Sequence, residues 1–280
     1  MSRVLVIGSY DAVSRAIAEA LGNLGIPAEN AVGHADALQK LRLRSFGVVI
    51  TGSDTPIDED LALLDEMRMI RPAVKCIILA PQSTADDVIA AMRARAFACF
   101  SAPFEPQSIA SLAADGLADN ARYNEIQIVS AQPGWVTVRA SAQLLTAERL
   151  LTFAKELNSR VPEGLRQEML QGLREILLNA MEHGAGFNSE QMVEVTAIRT
   201  GRAMVFYVRD PGPGFRRNAL GDGVVADLFK TPMQHVITRE EEGLRPGGYG
   251  LLLAGGTVDE LIYNEIGNEV VLIKYLDAAS

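Results

Sequence analysis

Met204-Val-Phe-Tyr-Val-Arg-Asp-Pro-Gly-Pro-Gly214 decides how the second half of this chain is read. Met204–Val208 is β-rich and apolar and predicts a buried strand. Asp210 therefore emerges at a strand end, and the chain then turns through two glycines. Gly212 and Gly214 let a ligand approach the main chain closely, while Pro211 and Pro213 fix the dihedrals between them. A carboxylate held there can accept a hydrogen bond from an exocyclic amine, as a carboxylate does from cytosine N4; the adenine amine is another such donor. Alone, the motif reads more simply as an ordinary Asp-Pro-Gly turn. Two other stretches decide otherwise.

Upstream, a helix is expected from Glu163 to about His183. Helical spacing puts Glu175, Asn179 and His183 along one stripe, with Leu173, Ile176, Leu177 and Ala180 on a side suited to a core. The plain reading is a solvated polar face. Asn, however, is a poor mid-helix residue because its side chain competes with the backbone, so a task such as holding a cation accounts for it better. His183 precedes Gly184 and reads as a helix-end residue facing the last carbonyls. Downstream, a long irregular stretch, 216–246, carries Lys230, Arg245 and Glu240-Glu-Glu242. It ends at Gly247-Gly-Tyr-Gly-Leu-Leu-Leu253, glycines opening an apolar helix, an arrangement whose free N–H groups and positive helix end suit a phosphate.

The order is distinctive: Glu-x-x-x-Asn on a helix, Asp-x-Gly-x-Gly after a strand, a long loop, then Gly-x-Gly opening a helix. Residues 127–276 thereby resemble the ATP-binding domain shared by histidine kinases, gyrase and heat-shock chaperones, and most of all that of anti-sigma-factor serine kinases. Glu175-Ile-Leu-Leu-Asn-Ala-Met-Glu-His-Gly184 is similar to the subfamily's N box, 209–215 to its first Gly box, Asp227-Leu-Phe-Lys-Thr-Pro232 to part of its lid, and 247–253 with Val258-Asp-Glu260 to its second Gly box and following helix. The resemblance implies an α/β sandwich in which Asp210 binds the adenine amine and Gly212 and Gly214 shape the base pocket. It implies that Asn179 coordinates Mg2+ bridging the phosphates and that Glu175 positions or deprotonates the acceptor hydroxyl. Gly248 and Gly250 would receive phosphate, with Lys230 or Arg245 as the cation nearest to it. Gly255 and Gly256 depart from the pattern, because they weaken the helix in which they are expected.

In the first half, apolar runs at 4–8, 28–32, 48–51, 75–79 and 98–101 alternate with helical patterns at 11–25, 35–44, 58–70, 84–94 and 106–120. Five strands alternating with five helices predict a doubly wound parallel sheet. Across about 115 residues this half resembles the receiver domain of response regulators. Ala96-Phe-Ala-Cys-Phe-Ser-Ala-Pro-Phe104 is similar to the family's Ala-Phe-Asp-Tyr-Leu-Thr-Lys-Pro-Phe. The chemistry is missing where the resemblance looks for it. Ser9-Tyr10-Asp11 offers one acid instead of two, and Thr51 and Gly52 stand where the phosphoacceptor is expected. Asp54 falls into the loop beyond, Ala80 replaces a hydroxyl residue, and Ala102 replaces the Lys. Phosphorylating an Asp needs a nucleophile, acids for Mg2+ and a cation, so the expectation is a pseudo-receiver with no phosphoacceptor. The boundary is expected near residue 122, giving domains 1–122 and 123–280, with a connection that is helical at first and lacks a Pro/Gly/Ser linker.

The chain has 280 residues, 48% hydrophobic and 22% charged, enough apolar material for real cores. A net charge of −9 argues against a general attraction to nucleic acid. No apolar run is long enough for a membrane; the N-terminus enters a strand at once without the parts of a signal peptide, and the cytoplasm is expected. Cys76 and Cys99 lie in apolar runs and read as buried reduced thiols.

Two functions are in play. One is a Mg-ATP-dependent protein serine/threonine kinase that also sequesters a protein partner, a sigma factor or an antagonist-like domain. The other is an ATP-binding module that tunes partner affinity without transfer. A sensor histidine kinase fits less well, because His34, His183 and His235 lie in the receiver-like half, the N box and the lid, with no helical hairpin carrying a phosphorylatable His. The resemblance also offers a homodimer.

Overall fold

The computed structural model describes residues 3–8, 11–119, 125–214 and 256–276. By contacts the chain divides into two compact units, Met1–Arg122 with Glu148–Leu157, and Tyr123–Ala147 with Asn158–Ser280.

The first unit alternates β1 (Val4–Ile7), α1 (Ala12–Asn23), β2 (Ala28–Ala31), α2 (Gly33–Leu43), β3 (Val48–Ile50), α3 (Ile57–Ile70), β4 (Lys75–Ala80), α4 (Ala85–Arg93), β5 (Ala98–Ser101) and α5 (Pro106–Ala118). Every strand pair is parallel and the order is β2-β1-β3-β4-β5, the flavodoxin-like order. The expected doubly wound sheet is therefore present. A sheet covered on both faces needs strands that are apolar on both, and β1, β3 and nearly all of β4 and β5 are buried. Thr84 and Asp87 close a reciprocal capping box on α4. Cys76 and Cys99 are buried free thiols, and burial pushes both above their usual range. The helical connection expected between the halves is described as far as Ala118, where α5 ends; residues 120–124 lie outside the described part.

Within that unit the Glu148–Leu157 stretch is tied down by polar groups. Arg149 donates to the Phe97 carbonyl at 2.8 Å and stacks over its ring, 4.6 Å from the centroid. Burial lowers its guanidinium to about 10. The Ser101 hydroxyl bonds Glu156.

The second unit holds a six-stranded sheet, β10-β11-β9-β8-β7-β6, with every pair antiparallel. Its strands are β6 (Ile126–Gln132), β7 (Trp135–Ser141), β8 (Met192–Arg199), β9 (Ala203–Arg209), β10 (Glu260–Tyr263) and β11 (Glu269–Tyr275). Pro133-Gly134 turns β6 into β7 as a two-residue loop. Trp135 stands half-exposed beside the edge strand. Between β7 and β8 lie α6 (Leu144–Leu157) and α7 (Glu163–Asn179). Helix α7 packs on β9 and β11 through Met169, Leu173, Ile176 and Leu177, all buried. Truncating one of these, such as Leu173→Ala, costs about 2–5 kcal/mol.

One expectation is corrected in shape. The α-helix does not run to His183: it ends at Asn179, and Ala180–Gly184 forms a π-helical turn. The turn is closed by Gly186 and Phe187, both at positive φ, with the Phe187 N–H on the Met181 carbonyl at 2.7 Å. Glu175 and Asn179 keep their i, i+4 relation, while His183 lies within the π-helical turn and is exposed.

Candidate functional site

Of the residues singled out in the second half, Asp210, Gly212 and Gly214 stand together at one end of the antiparallel sheet. β9 ends at Arg209, and the Asp210 N–H continues the ladder by donating to the Asn268 carbonyl at 3.1 Å. The carboxylate turns back on its own loop and accepts from the Gly212 N–H at 2.8 Å. Asp210 is half-buried. Burial raises its carboxyl above the usual range, against the Gly212 bond that favours the charged form. A strand end thus presents a fixed acceptor.

Close backbone approach joins this turn to the helix before it. A Cβ on Gly184 would fall 2.2 Å from the Asp210 carboxyl carbon, and one on Gly212 would fall 2.6 Å from the Gly184 carbonyl oxygen. Gly214 has φ +74 and would strike the Ile266 carbonyl at 2.2 Å. Only glycine fits such contacts. The π turn that ends α7 is thereby pressed against Asp210, and the widening of the helix lets Gly184 reach it; π turns are common at functional sites. About one turn up the same helix stands Asn179, and a further turn up stands Glu175, both half-buried. The structure therefore sets Gly184 against the turn of Asp210, Gly212 and Gly214, and carries Glu175 and Asn179 on the helix that leads into Gly184.

Lys230, Arg245, Gly248 and Gly250, the lid segment 227–232 and the second Gly box lie outside the described residues. Past the box, Gly256 and Thr257 are helical, while Val258 and Asp259 bend and Glu260 opens β10, so 258–260 does not continue a helix. This exit is anchored firmly. Lys274, on the inner face of β11, reaches Glu168 of α7 at 2.6 Å, Asp259 at 3.2 Å and the Thr257 carbonyl at 3.2 Å. Gly172 of α7 admits Val258 so closely that a Cβ would meet its methyl at 2.9 Å. Among the described residues no group of three or more His, Cys, Asp or Glu could hold a metal. A cation here would rely on Asn179 and on phosphate oxygens, which suits Mg2+.

Sequence reasoning missed the support of this turn. Asn264 accepts from the N–H groups of Gly267, Asn268 and Glu269 through one oxygen, and its amide donates to Asn268 at 2.9 Å. The Asn268 amide reaches the carbonyls of Asp210 and Gly212 at 3.5 and 3.4 Å. The β10–β11 hairpin thus carries the Asp210 turn. Asn264-Glu-Ile-Gly-Asn268 is a turn signal, but nothing local says which other turn it supports. Gly184 was read as a helix stop, and its contact with Asp210 is non-local.

Residues 140–274 match the family described as "Histidine kinase-like ATPase domain". A search of the curated proteins finds no match. Solved structures similar to the chain include a CheY-like response regulator receiver domain protein from Methanospirillum hungatei JF-1, 20% identical, TM-score 0.38, covering 42% of this chain and 94% of that one. A response regulator from Thermotoga maritima is 18% identical, TM-score 0.38, covering 42% and 100%. A receiver domain protein from Clostridium thermocellum is 24% identical, TM-score 0.37, covering 42% and 95%. Residues 140–274 thus match a histidine kinase-like ATPase domain, a family that implies ATP binding. Among the described residues no helix is long and apolar enough to cross a membrane.

Proposed function

We propose that the chain is a Mg-ATP-dependent protein serine/threonine kinase of the partner-switching type, whose receiver-like unit takes no phosphate. The observation that carries the reading is α7. It bears Glu175 and Asn179 one turn apart and runs into the π turn whose Gly184 lies against Asp210. One element therefore sets the distance between the group that recognises the base and the groups that serve the phosphates.

In this reading Asp210 accepts a hydrogen bond from the adenine amine, and Gly212 and Gly214 leave room for the ring. Asn179 holds Mg2+, which neutralises phosphate charge when bound. Glu175 receives the proton of the attacking hydroxyl. Phosphoryl transfer demands chiefly positioning and charge neutralisation, and a preformed helix face supplies the first. The partner is a protein carrying a serine or threonine, a sigma factor or an antagonist-like domain. A binding module without transfer would use the same base pocket; retention of Glu175 favours the kinase.

Two measurements test it. Titration calorimetry with ATP in magnesium buffer is expected to show binding that Asp210→Ala removes. Labelled ATP with a candidate partner recovered from extract is expected to give acid-stable phosphoserine or phosphothreonine. No heat with ATP or ADP would overturn the nucleotide reading. Binding without transfer to any recovered partner would reduce the protein to a binding module.

A further inference from the structure

In the β10–β11 hairpin one side-chain amide fixes the orientation of the next. The loop is closed by the Asn264 N–H on the Glu269 carbonyl at 3.0 Å. Inside it the Asn264 side chain meets the main-chain N–H groups of Gly267, Asn268 and Glu269 at 2.7, 3.1 and 3.3 Å. N–H groups can only donate, so the atom they surround is the amide oxygen. The Asn264 NH2 must then point the other way, where it lies 2.9 Å from the Asn268 side chain. A donor calls for an acceptor, so the Asn268 atom that faces it is oxygen. The Asn268 NH2 is thereby turned towards the Asp210 loop, 3.5 Å from the Asp210 carbonyl and 3.4 Å from that of Gly212. Two hydrogens face two carbonyls, at distances beyond the usual ~2.7–3.2 Å of such bonds.

The Asp210 turn depends on this hold. Its carboxylate accepts from the Gly212 N–H at 2.8 Å, so the direction of the carboxylate follows the placing of residues 210–212. The close approaches of Gly184 and Gly214 are steric and limit how near the turn can come. They push and do not pull. Residue 268 pulls twice: its carbonyl accepts from the Asp210 N–H at 3.1 Å, and its amide faces the Asp210 and Gly212 carbonyls.

We propose that Asn264 and Asn268 are positioning residues that set the choice of purine base: Asn264 orients the Asn268 amide, and that amide holds the Asp210 turn where its carboxylate meets an exocyclic amine. The proposal rests on the nucleotide reading above. Adenine offers an amine, and guanine offers a carbonyl oxygen at the equivalent ring position, which a carboxylate repels. Discrimination between the two is a difference of affinities. It depends on the place of the carboxylate, because a hydrogen bond weakens steeply with angle and distance. Loss of positioning therefore costs ATP more than GTP.

The test measures ATP and GTP binding to the full chain by titration calorimetry in magnesium buffer, together with thermal melting without nucleotide. Asn264→Asp is the informative variant. A carboxylate still accepts from the three N–H groups, so the loop is kept, but it cannot donate to Asn268. The Asn268 amide then turns round to donate to the new carboxylate, and its oxygen comes to face the carbonyls of Asp210 and Gly212. The preference for ATP over GTP is expected to fall about tenfold, with melting within about 2 °C of the wild type. The added negative charge acts on both triphosphates alike and cancels in the ratio. Asn268→Ala removes the donor without adding a repulsion and is expected to lower the preference about threefold. In the Asn268→Ala background, Asn264→Asp is expected to add less than about twofold, because the group through which it acts is gone. A wild type that binds ATP without preference over GTP, an Asn264→Asp variant that keeps the full preference, or a double variant in which the two effects multiply would overturn the proposal and leave nucleotide binding standing. Lower melting with an unchanged preference would reduce both residues to loop support. A wild type that binds neither nucleotide would overturn the proposal and the nucleotide reading together.

Discussion

β3 of the first unit and β9 of the second both deliver a polar residue from a buried strand to a sheet end, and the two residues are used in opposite ways. At the end of β3, Thr51 is fully buried. Its N–H donates to the Ile77 carbonyl at 3.0 Å and its hydroxyl accepts from the Leu79 N–H at 2.9 Å, so it sews β3 to β4. At the end of β9, Asp210 sews with its backbone alone and keeps a half-buried carboxylate over a glycine-lined turn. A side chain consumed by the fold cannot serve a ligand. One held by its backbone, with glycines beside it, can.

The largest effect expected at the second site is chemical. Glu175→Gln keeps the shape of the side chain and removes the base. Transfer to partner is expected to fall about 10²–10⁴-fold, with ATP affinity unchanged within about twofold. Wild-type transfer rates in that variant would take Glu175 out of the reaction.

Next in size is the close approach at Gly184. A Cβ there displaces the Asp210 carboxylate, and overpacking of this kind costs about 1–3 kcal/mol. Gly184→Ala is therefore expected to weaken ATP between about fivefold and a hundredfold in calorimetry. Gly164→Ala, in α7 with nothing within 4 Å of its would-be Cβ, is the matched control and is expected to leave affinity unchanged. Equal effects from both would mean that helix content, not the Asp210 contact, sets affinity.

Acidification separates the two uses of Asp210. Its raised carboxyl favours protonation in the folded state, so on its own it makes the fold more stable as pH falls. In the proposed reading ATP needs the charged acceptor, so affinity is full above this pKa and is lost as pH drops through it. Affinity should decline at a higher pH than an ordinary Asp would give, and Asp210→Asn should bind weakly with a flat profile.

In the first unit the corresponding titration concerns stability, not a ligand. Asp60 is fully buried on α3, its Oδ1 3.0 Å from His34 Nε2, and its Oδ2 has no partner among the described residues. Burial pushes its carboxyl from 3.8 up to about 6, although the Thr51 hydroxyl and His34 favour the charge. The folded state then binds the proton more tightly than the unfolded one. The stability this contributes is complete below the ordinary Asp range and is lost as pH rises through about 6. Asp60→Asn is expected to stabilise the unit at pH 7–8 by on the order of 2 kcal/mol in urea unfolding and to flatten the profile between pH 4 and 6. A loss of stability at pH 8 would mean that the charged pair with His34 outweighs desolvation.

The contrast also governs what could be read from the chain alone. The parallel sheet was legible because apolar runs and helical periods alternate at regular spacing, and the boundaries of β5 come out as expected. Glu175, Asn179 and Asp210 were legible because each stands out against its local pattern. What failed to show is non-local: the contact of Gly184 with Asp210, and the support that Asn264 and Asn268 give to a turn more than 50 residues away. The π turn was hidden because a 100° period describes only an α-helix, and nothing in Ala180-Met-Glu-His-Gly184 announces a change of pitch.

The smallest effect is expected at Asp54, and it bears hardest on the comparison. Asp54 is exposed in the loop beyond β3. Its surroundings supply little of what an aspartyl phosphate requires. Asp11 is occupied as the N-cap of α1, accepting from the Ser14 N–H at 2.8 Å. Position 102 is Ala, and Lys75 is engaged with the Gly116 carbonyl at 2.6 Å and with Asp119 at 2.9 Å. With a small-molecule phosphodonor in magnesium buffer, the wild type and Asp54→Asn are expected to remain equally unlabelled. Label on the wild type that disappears in Asp54→Asn would show that the loop carboxylate does the work Thr51 cannot. The first unit would then be a phosphate switch, and the difference between the two strand ends would be one of position, not of chemistry.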